Sequence, residues 1–138
     1  MIFLRVYEYF FYKIFKSIEY TSSPNFWSQW RAIAFIIILE IWAVSAIDIC
    51  YHYYGRVPMN SSNNLLEAYQ VVSIILFVGF NWFVFEYKSK WKEIIIRFDK
   101  LSKKKNLFGG IVVWTIILFI IIFYWFFAID LLSKVSYE

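Results

Sequence analysis

Residues 88–105 of this chain read KSKWKEIIIRFDKLSKKK, and the predicted placement of the other segments follows from them. Eight of these residues are lysine or arginine, against only Glu93 and Asp99 on the acidic side. This stretch separates two apolar runs, 65–85 and 107–128, and each is long enough to cross a bilayer at about 1.5 Å per helical residue. Short loops this basic stay on the cytoplasmic side of a membrane. The stretch therefore predicts a cytoplasmic segment between two transmembrane helices.

The composition supports a membrane protein over a soluble domain. Of the 138 residues, 62% are hydrophobic and 17% are charged, and the mean hydropathy is +0.59. Soluble domains carry about 25% charged residues. The net charge of +4 is concentrated where cytoplasmic loops meet anionic lipid headgroups, so membrane lipids are expected partners. No nucleic-acid-binding pattern accompanies the charge, and nucleic acid is not an expected partner.

The predicted fold is an all-α integral membrane domain spanning 1–138, with an interfacial helix, three crossings and a basic extension. We predict an amphipathic interfacial helix at 1–20, transmembrane helices at 32–51, 65–85 and 107–128, and a basic cytoplasmic helix at 86–106 that extends the second crossing. The interfacial helix places its polar residues in one stripe. These are Arg5, Glu8, Tyr12, Lys16 and Glu19. This first helix is expected to act as an anchor, with partner docking as the alternative.

The basic helix also has an apolar face. Its apolar residues recur at three- and four-residue spacing. They are Trp91, Ile94, Ile95, Phe98 and Leu101. Three acid–base pairs at four-residue spacing would support the helix: Glu86 with Lys90, Glu93 with Arg97, and Asp99 with Lys103. The pattern indicates contact with the membrane surface, with the first helix, or with another protein.

The distribution of basic residues predicts the orientation. Ser23 and Pro24 are natural starting residues for the helix of the first crossing. The turn-rich loop at 55–64 contains one basic residue, Arg56, and is expected to be translocated. The basic stretch, Arg5, Lys13, Lys16 and Arg31 are then inside, and Arg56 and Lys134 are outside. The N-terminus is therefore predicted to be cytoplasmic and the C-terminus external.

Three polar residues within the crossings are candidate functional groups. Glu40, Asn81 and Thr115 lie roughly 14, 9 and 15 Å deep at about 1.5 Å per residue, so they could form one intramembrane polar layer. We expect Glu40 to be protonated and to hold helices together through hydrogen bonds. A coupling-ion or proton site and contact with a partner subunit are the alternatives.

Signs of catalysis or of a cofactor are missing from the sequence. It contains no zinc-protease, nucleophile-elbow or phosphate-loop motif. Asp48 and Asp130 could share a proton only if they lay close together, and we expect them to cap the outer ends of two crossings instead. Cys50 and His52 are the only residues of their types, and metal sites use three or four ligands. The sequence predicts a protein that is not an enzyme and has no metal or cofactor.

Several short strings give the chain a resemblance to a group of bacterial proteins. They are residues 12–16 (YKIFK), 22–30 (SSPNFWSQW), 85–87 (FEY), 90–92 (KWK), 103–106 (KKKN) and 109–110 (GG). With them the chain resembles small inner-membrane proteins of Bacteroidetes-type bacteria, a set with no established activity. The resemblance implies a bacterial inner-membrane location and assigns no functional residue.

The predicted function is that of a non-enzymatic interaction protein in the membrane. It would be an accessory subunit of a membrane complex or a toxin-immunity protein, binding another membrane protein. The candidate partner or lipid surface lies in the basic stretch. It comprises Lys88, Trp91, Lys92, Arg97, Phe98, Lys103, Lys104 and Lys105. The alternative is a homo-oligomeric small transporter or channel that uses Glu40.

Overall fold

The computed structural model describes residues 1–21, 27–56, 58 and 68–135, with backbone only at 68 and 69, and these residues contain helices and no strand. Ser23, Pro24 and most of the loop at 55–64 lie outside this description. The α-helices are α1 (Ile2–Thr21), α2 (Ser28–Gly55), α3 (Ala68–Asn81), α4 (Lys90–Asp99), α5 (Lys103–Ile122) and α6 (Ile129–Leu132). A π-helical segment (Trp82–Glu86) and a 3₁₀ turn (Tyr87–Ser89) join α3 to α4, and a π-helical segment (Phe123–Ala128) joins α5 to α6.

Three helical stretches are long and apolar enough to cross a membrane: Ser28–Gly55, Gln70–Asp99 and Lys103–Leu132. Ser28–Gly55 and Lys103–Leu132 contain the predicted crossings 32–51 and 107–128, and Gln70–Asp99 contains residues 70–85 of the second predicted crossing. The all-helical class and the three membrane-length helices are thus confirmed. The chain has the architecture of a membrane protein.

The basic stretch differs from the single helix predicted for 86–106. Lys88 and Ser89 both have φ of 54°, in the left-handed region that interrupts a right-handed helix. A second break follows α4, and α5 starts at Lys103 with the Ser102 hydroxyl accepting from the Lys105 N–H. Lys103, Lys104 and Lys105 therefore begin the third apolar helix. The breaks let α4 turn its apolar face onto α1 and bury Ile94.

Helix α1 lies within the main hydrophobic core. Phe11 is fully buried and stacks on the equally buried Phe85, with ring centroids 4.3 Å apart. One turn later, Phe15 packs against Trp91 with ring centroids 5.6 Å apart. Ala32, Ile36 and Leu39 of α2, together with Val113 and Ile117 of α5, complete this core. Helix α1 thus packs on α2, α4 and α5, and its role as a membrane anchor stays a prediction.

A smaller cluster joins the opposite ends of the long helices. It contains Ala46 and Ile49 of α2 together with Ala128 and Leu131. Trp42 stacks nearby on Tyr124 with ring centroids 5.7 Å apart. These contacts join α2 to the segment that follows α5, so the two helices are tied together at both ends.

Candidate functional site

A polar ring joins α1 to the two helices beside it. It consists of Tyr7 from α1, Glu40 from α2 and Asn81 from the end of α3. Asn81 Nδ2 donates to Glu40 Oε2 at 2.8 Å. Tyr7 Oη is hydrogen-bonded to Glu40 Oε1 and lies 2.7 Å from Asn81 Oδ1. Each side chain therefore contacts the other two.

The number of hydrogens available for hydrogen bonds within the ring depends on whether Glu40 is protonated. The Tyr7 hydroxyl has one hydrogen, yet its oxygen is within hydrogen-bonding distance of two oxygens. If Glu40 were ionised, one of these two contacts would join oxygens with no hydrogen between them. If Glu40 is protonated, it donates to Tyr7, Tyr7 donates to Asn81 Oδ1, and Asn81 donates to Glu40. A neutral glutamic acid would thus close the ring of hydrogen bonds, and the protonation of Glu40 stays a prediction.

The ring is embedded in the helices around it. Asn81 is fully buried, and its Nδ2 also donates to the Phe77 carbonyl at 2.8 Å. The Tyr7 ring lies between Phe80 and Phe85, with centroid distances of 5.6 and 5.4 Å. Burial, and then the hydrogen bond to Glu40, raise the pKa of Tyr7. A satisfied buried network of this kind holds its helices in one arrangement.

The ring differs in membership from the predicted polar layer. Glu40 and Asn81 meet, but Thr115 is exposed and its hydroxyl donates to the Ile111 carbonyl of its own helix at 2.8 Å. Tyr7 takes the third place, and the sequence analysis missed it. Its spacing of four residues from Phe11 and eight from Phe15 was the available signal, because it places a hydroxyl on the buried face of α1.

The interface between α1 and α4 pairs charges across the two helices. Arg97 binds Glu8, and Lys16 Nζ lies 3.1 Å from Asp99 Oδ2. Tyr12 Oη donates to Asp99 Oδ1 at 2.8 Å. Burial, followed by this hydrogen bond to Asp99, raises the pKa of Tyr12 to about 12. The charges of this interface are thus neutralised between the helices.

The three acid–base pairs predicted within the basic stretch do not occur. Arg97 and Asp99 form ion pairs with residues of α1 instead. The ion pairs of the described residues do not include Glu86–Lys90, Glu93–Arg97 or Asp99–Lys103. The breaks on either side of α4 change the helical spacing at Glu86–Lys90 and Asp99–Lys103. Tertiary contacts therefore decide which charges of this stretch remain available.

Only part of the predicted partner surface remains open to solvent or lipid. Trp91 and Phe98 pack on α1: Trp91 contacts Phe15, and Phe98 lies 5.1 Å from Tyr9 between ring centroids. Arg97 is engaged with Glu8. Six lysines are exposed and have no ion pair with any residue of the described ranges. These six, termed the basic surface below, are Lys88, Lys92, Lys100, Lys103, Lys104 and Lys105.

The two aspartates predicted to cap the outer ends of two crossings each have a basic neighbour close in sequence. Asp48 Oδ1 lies 3.7 Å from His52 Nε2, and Asp130 Oδ2 lies 2.8 Å from Lys134 Nζ. Both contacts have the four-residue spacing of neighbours on a helical surface. The positions suit charged groups at the ends of membrane helices.

Comparison with known proteins finds no matching family model, no matching curated protein and no matching solved structure. What this chain does is inferred from its own geometry.

Proposed function

We propose that this chain is a small, non-enzymatic interaction protein of a bacterial inner membrane, with a cytoplasmic N-terminus and an external C-terminus. Its basic surface binds an acidic segment of a partner membrane protein. The chain is either an accessory subunit of that partner or an immunity factor that protects the cell from it. The orientation follows from the excess of lysine and arginine on one side.

The observation that carries the proposal is that some charged residues around α4 are paired within the chain and others are not. Glu8 and Asp99 are taken up by Arg97 and Lys16 within the chain. The six lysines of the basic surface have no such counter-ion among the described residues. Their charge is therefore available to an external anionic partner, and its contribution should weaken at high salt.

The start of α5 strengthens this argument. Lys103, Lys104 and Lys105 occupy its first turn, where the helix dipole is already positive. Three cations there disfavour the free helix, by about 0.3–1 kcal/mol each in general. An acidic partner segment would relieve this repulsion, since anions are stabilised at helix N-termini.

The alternative of an ion- or proton-coupled transporter is less well supported by the geometry. Both carboxyl oxygens of Glu40 are engaged, one by Tyr7 and the other by Asn81. A coupling site needs a carboxyl group that can exchange its ligands during transport. The closed ring favours a role for Glu40 in holding helices together.

The test is to extract the tagged full-length protein from its native membrane in mild detergent and to identify what co-purifies by native mass spectrometry. We expect a foreign protein in stoichiometric amount. Charge reversal at Lys103, Lys104 and Lys105 should release it, whereas reversal of Lys134 at the opposite end should not. A pure homo-oligomer, or co-purification unchanged by the triple reversal, would contradict the proposal.

Trp91→Asp does not test the partner surface, because Trp91 packs on Phe15 of α1. We expect this variant to disturb the packing of α1.

A further measurement distinguishes an accessory subunit from an immunity protein. Survival of cells that co-express a neighbouring toxin gene would identify an immunity protein, and loss of a complex on deletion would identify a subunit.

A further inference from the structure

A groove between α1 and α5 combines an apolar lining with cationic side chains. Its volume is about 370 Å³.

 A volume of 370 Å³ lies within the range of about 300–1,000 Å³ that is usual for small-molecule sites. Ile2 and Val6 of α1 and Phe108, Val112 and Ile116 of α5 line it. The lining suits a hydrocarbon chain.

The cations of this groove lie on one stripe of α1. Arg5, Tyr9 and Lys13 follow each other at four-residue spacing, so they share the helix face that meets α5. Arg5 and Tyr9 line the groove. Lys13 Nζ lies 3.4 Å from the place that a Cβ atom on Gly110 would occupy. Arg5 and Tyr9 thus lie in the groove, and Lys13 lies one turn beyond Tyr9 on the same helix face.

Arg5 and Lys13 have no ion pair with any residue in the part of the chain that the structure describes. Lys13 contacts only aromatic faces as a cation, with Nζ 5.6 Å from the ring centroids of Tyr9 and Tyr12. Burial lowers the pKa of Lys13. A cation beside an apolar groove is costly without a counter-ion, so an external anion is favoured.

Two glycines of α5 allow the stripe to approach. A Cβ atom on Gly109 would lie 2.3 Å from Tyr9 Oη, closer than packed atoms can come. Tyr9 Oη is held there by Asn106, whose Oδ1 accepts its hydrogen bond at 3.1 Å. The close approach places the cationic stripe directly beside the apolar wall of α5.

We propose that this groove binds one anionic phospholipid, with an acyl chain between α1 and α5 and the phosphate beside Arg5 and Lys13. Arginine suits this role because its planar guanidinium donates two parallel hydrogen bonds to a phosphate. The occupant follows from charge complementarity: the uncompensated Arg5 lines a groove whose other lining residues are uncharged, and the uncompensated Lys13 lies on the same face of α1, beside Gly110. The site is separate from the basic surface and does not depend on the proposed partner.

The test is native mass spectrometry of the full-length protein in detergent, titrated with phosphatidylglycerol or with phosphatidylcholine of the same chain length. We expect one tightly bound phosphatidylglycerol and weaker binding of the neutral lipid. The double variant Arg5→Gln, Lys13→Gln should bind phosphatidylglycerol about tenfold more weakly. The matched control is Lys92→Gln, Lys100→Gln, which removes the same charge from the basic surface and should leave binding unchanged.

A variant that fills the groove tests the apolar half of the site. Val112→Trp should reduce binding of both lipids, because it occupies the space for the acyl chain. Equal binding of the two lipids by the unaltered protein would overturn the proposal, as would an effect of the control pair equal to that of the double variant. Circular dichroism and melting of each variant establish that the helices are intact. Co-purification of a protein partner should survive the Arg5 and Lys13 changes, which separates this site from the basic surface.

Discussion

The two sides of α1 differ in whether their polar side chains have partners within the chain. On the side facing α2, α3 and α4, the polar groups find partners within the chain, as Glu8 does in Arg97 and Tyr7 does in the polar ring. On the side facing α5, Arg5 lines an apolar groove and Lys13 lies beside Gly110, and neither has an acidic partner among the described residues. The first side holds the helices together, and the second suits an external ligand.

The largest expected effect comes from the first side of α1. Phe11→Ala should lower the free energy of unfolding by about 3 kcal/mol, because it removes a fully buried ring stacked on Phe85. Phe126→Ala is the matched control, since Phe126 is 76% exposed and should change stability little. Unfolding in mixed detergent micelles, followed by tryptophan fluorescence, measures both. Equal losses in the two variants would show that α1 is not part of the core.

The polar ring gives the next largest effect and tests the protonation of Glu40. Glu40→Ala should cost about 2 kcal/mol, because it leaves Tyr7 and Asn81 with unmatched polar atoms. Glu40→Gln should cost under about 0.5 kcal/mol, because its amide can donate to Tyr7 and accept from Asn81, as a protonated carboxyl does. The same unfolding measurement applies. A glutamine variant as unstable as the alanine variant would indicate an ionised Glu40.

Paired glycine variants compare the α5 side of α1 with an open surface. Gly109→Ala should destabilise the protein by about 1–2 kcal/mol, because the added Cβ would displace Tyr9 from beside α5. Gly79→Ala should be neutral or stabilising by up to about 1 kcal/mol, since no atom lies within 4 Å of its Cβ position and alanine favours a helix. Thermal melting in detergent measures the difference. Similar values for both variants would argue against close packing of α1 on α5.

The smallest effect is a dependence on alkaline pH at the α1–α4 interface. The pKa of Tyr12 rises from 10.0 to about 12 because of burial and the hydrogen bond to Asp99. The folded chain therefore holds this proton more tightly than the unfolded chain does. The resulting stabilisation is complete below pH 10 and is lost as the pH rises towards about 12. When unfolding is measured at stepped pH, the free energy of unfolding should fall less for Tyr12→Phe than for the unaltered protein as the pH rises. Parallel curves of this free energy against pH would contradict the role assigned to Tyr12.

The sequence was informative about Glu40 and Asn81 but not about the third member of their ring. Depth along a membrane helix follows from residue counting, so two polar residues at similar depth could be expected to meet. Thr115 satisfied the same count, yet it faces away from the ring, because depth does not specify the direction in which a side chain points. Tyr7 could not be placed by depth, since the path of α1 depends on its packing against Phe85 and Trp91.

The helical class, the three membrane-length helices and the concentration of positive charge between the second and third could all be predicted from the sequence. These properties depend on local hydrophobicity and on helix length, which are readable along the chain. Tertiary packing instead determines that α1 lies in the core, that the helical path is interrupted at Lys88 and Ser89 before α4, and which cations remain uncompensated. Such features depend on contacts between residues distant in sequence, as between Glu8 and Arg97, and local patterns do not specify those contacts.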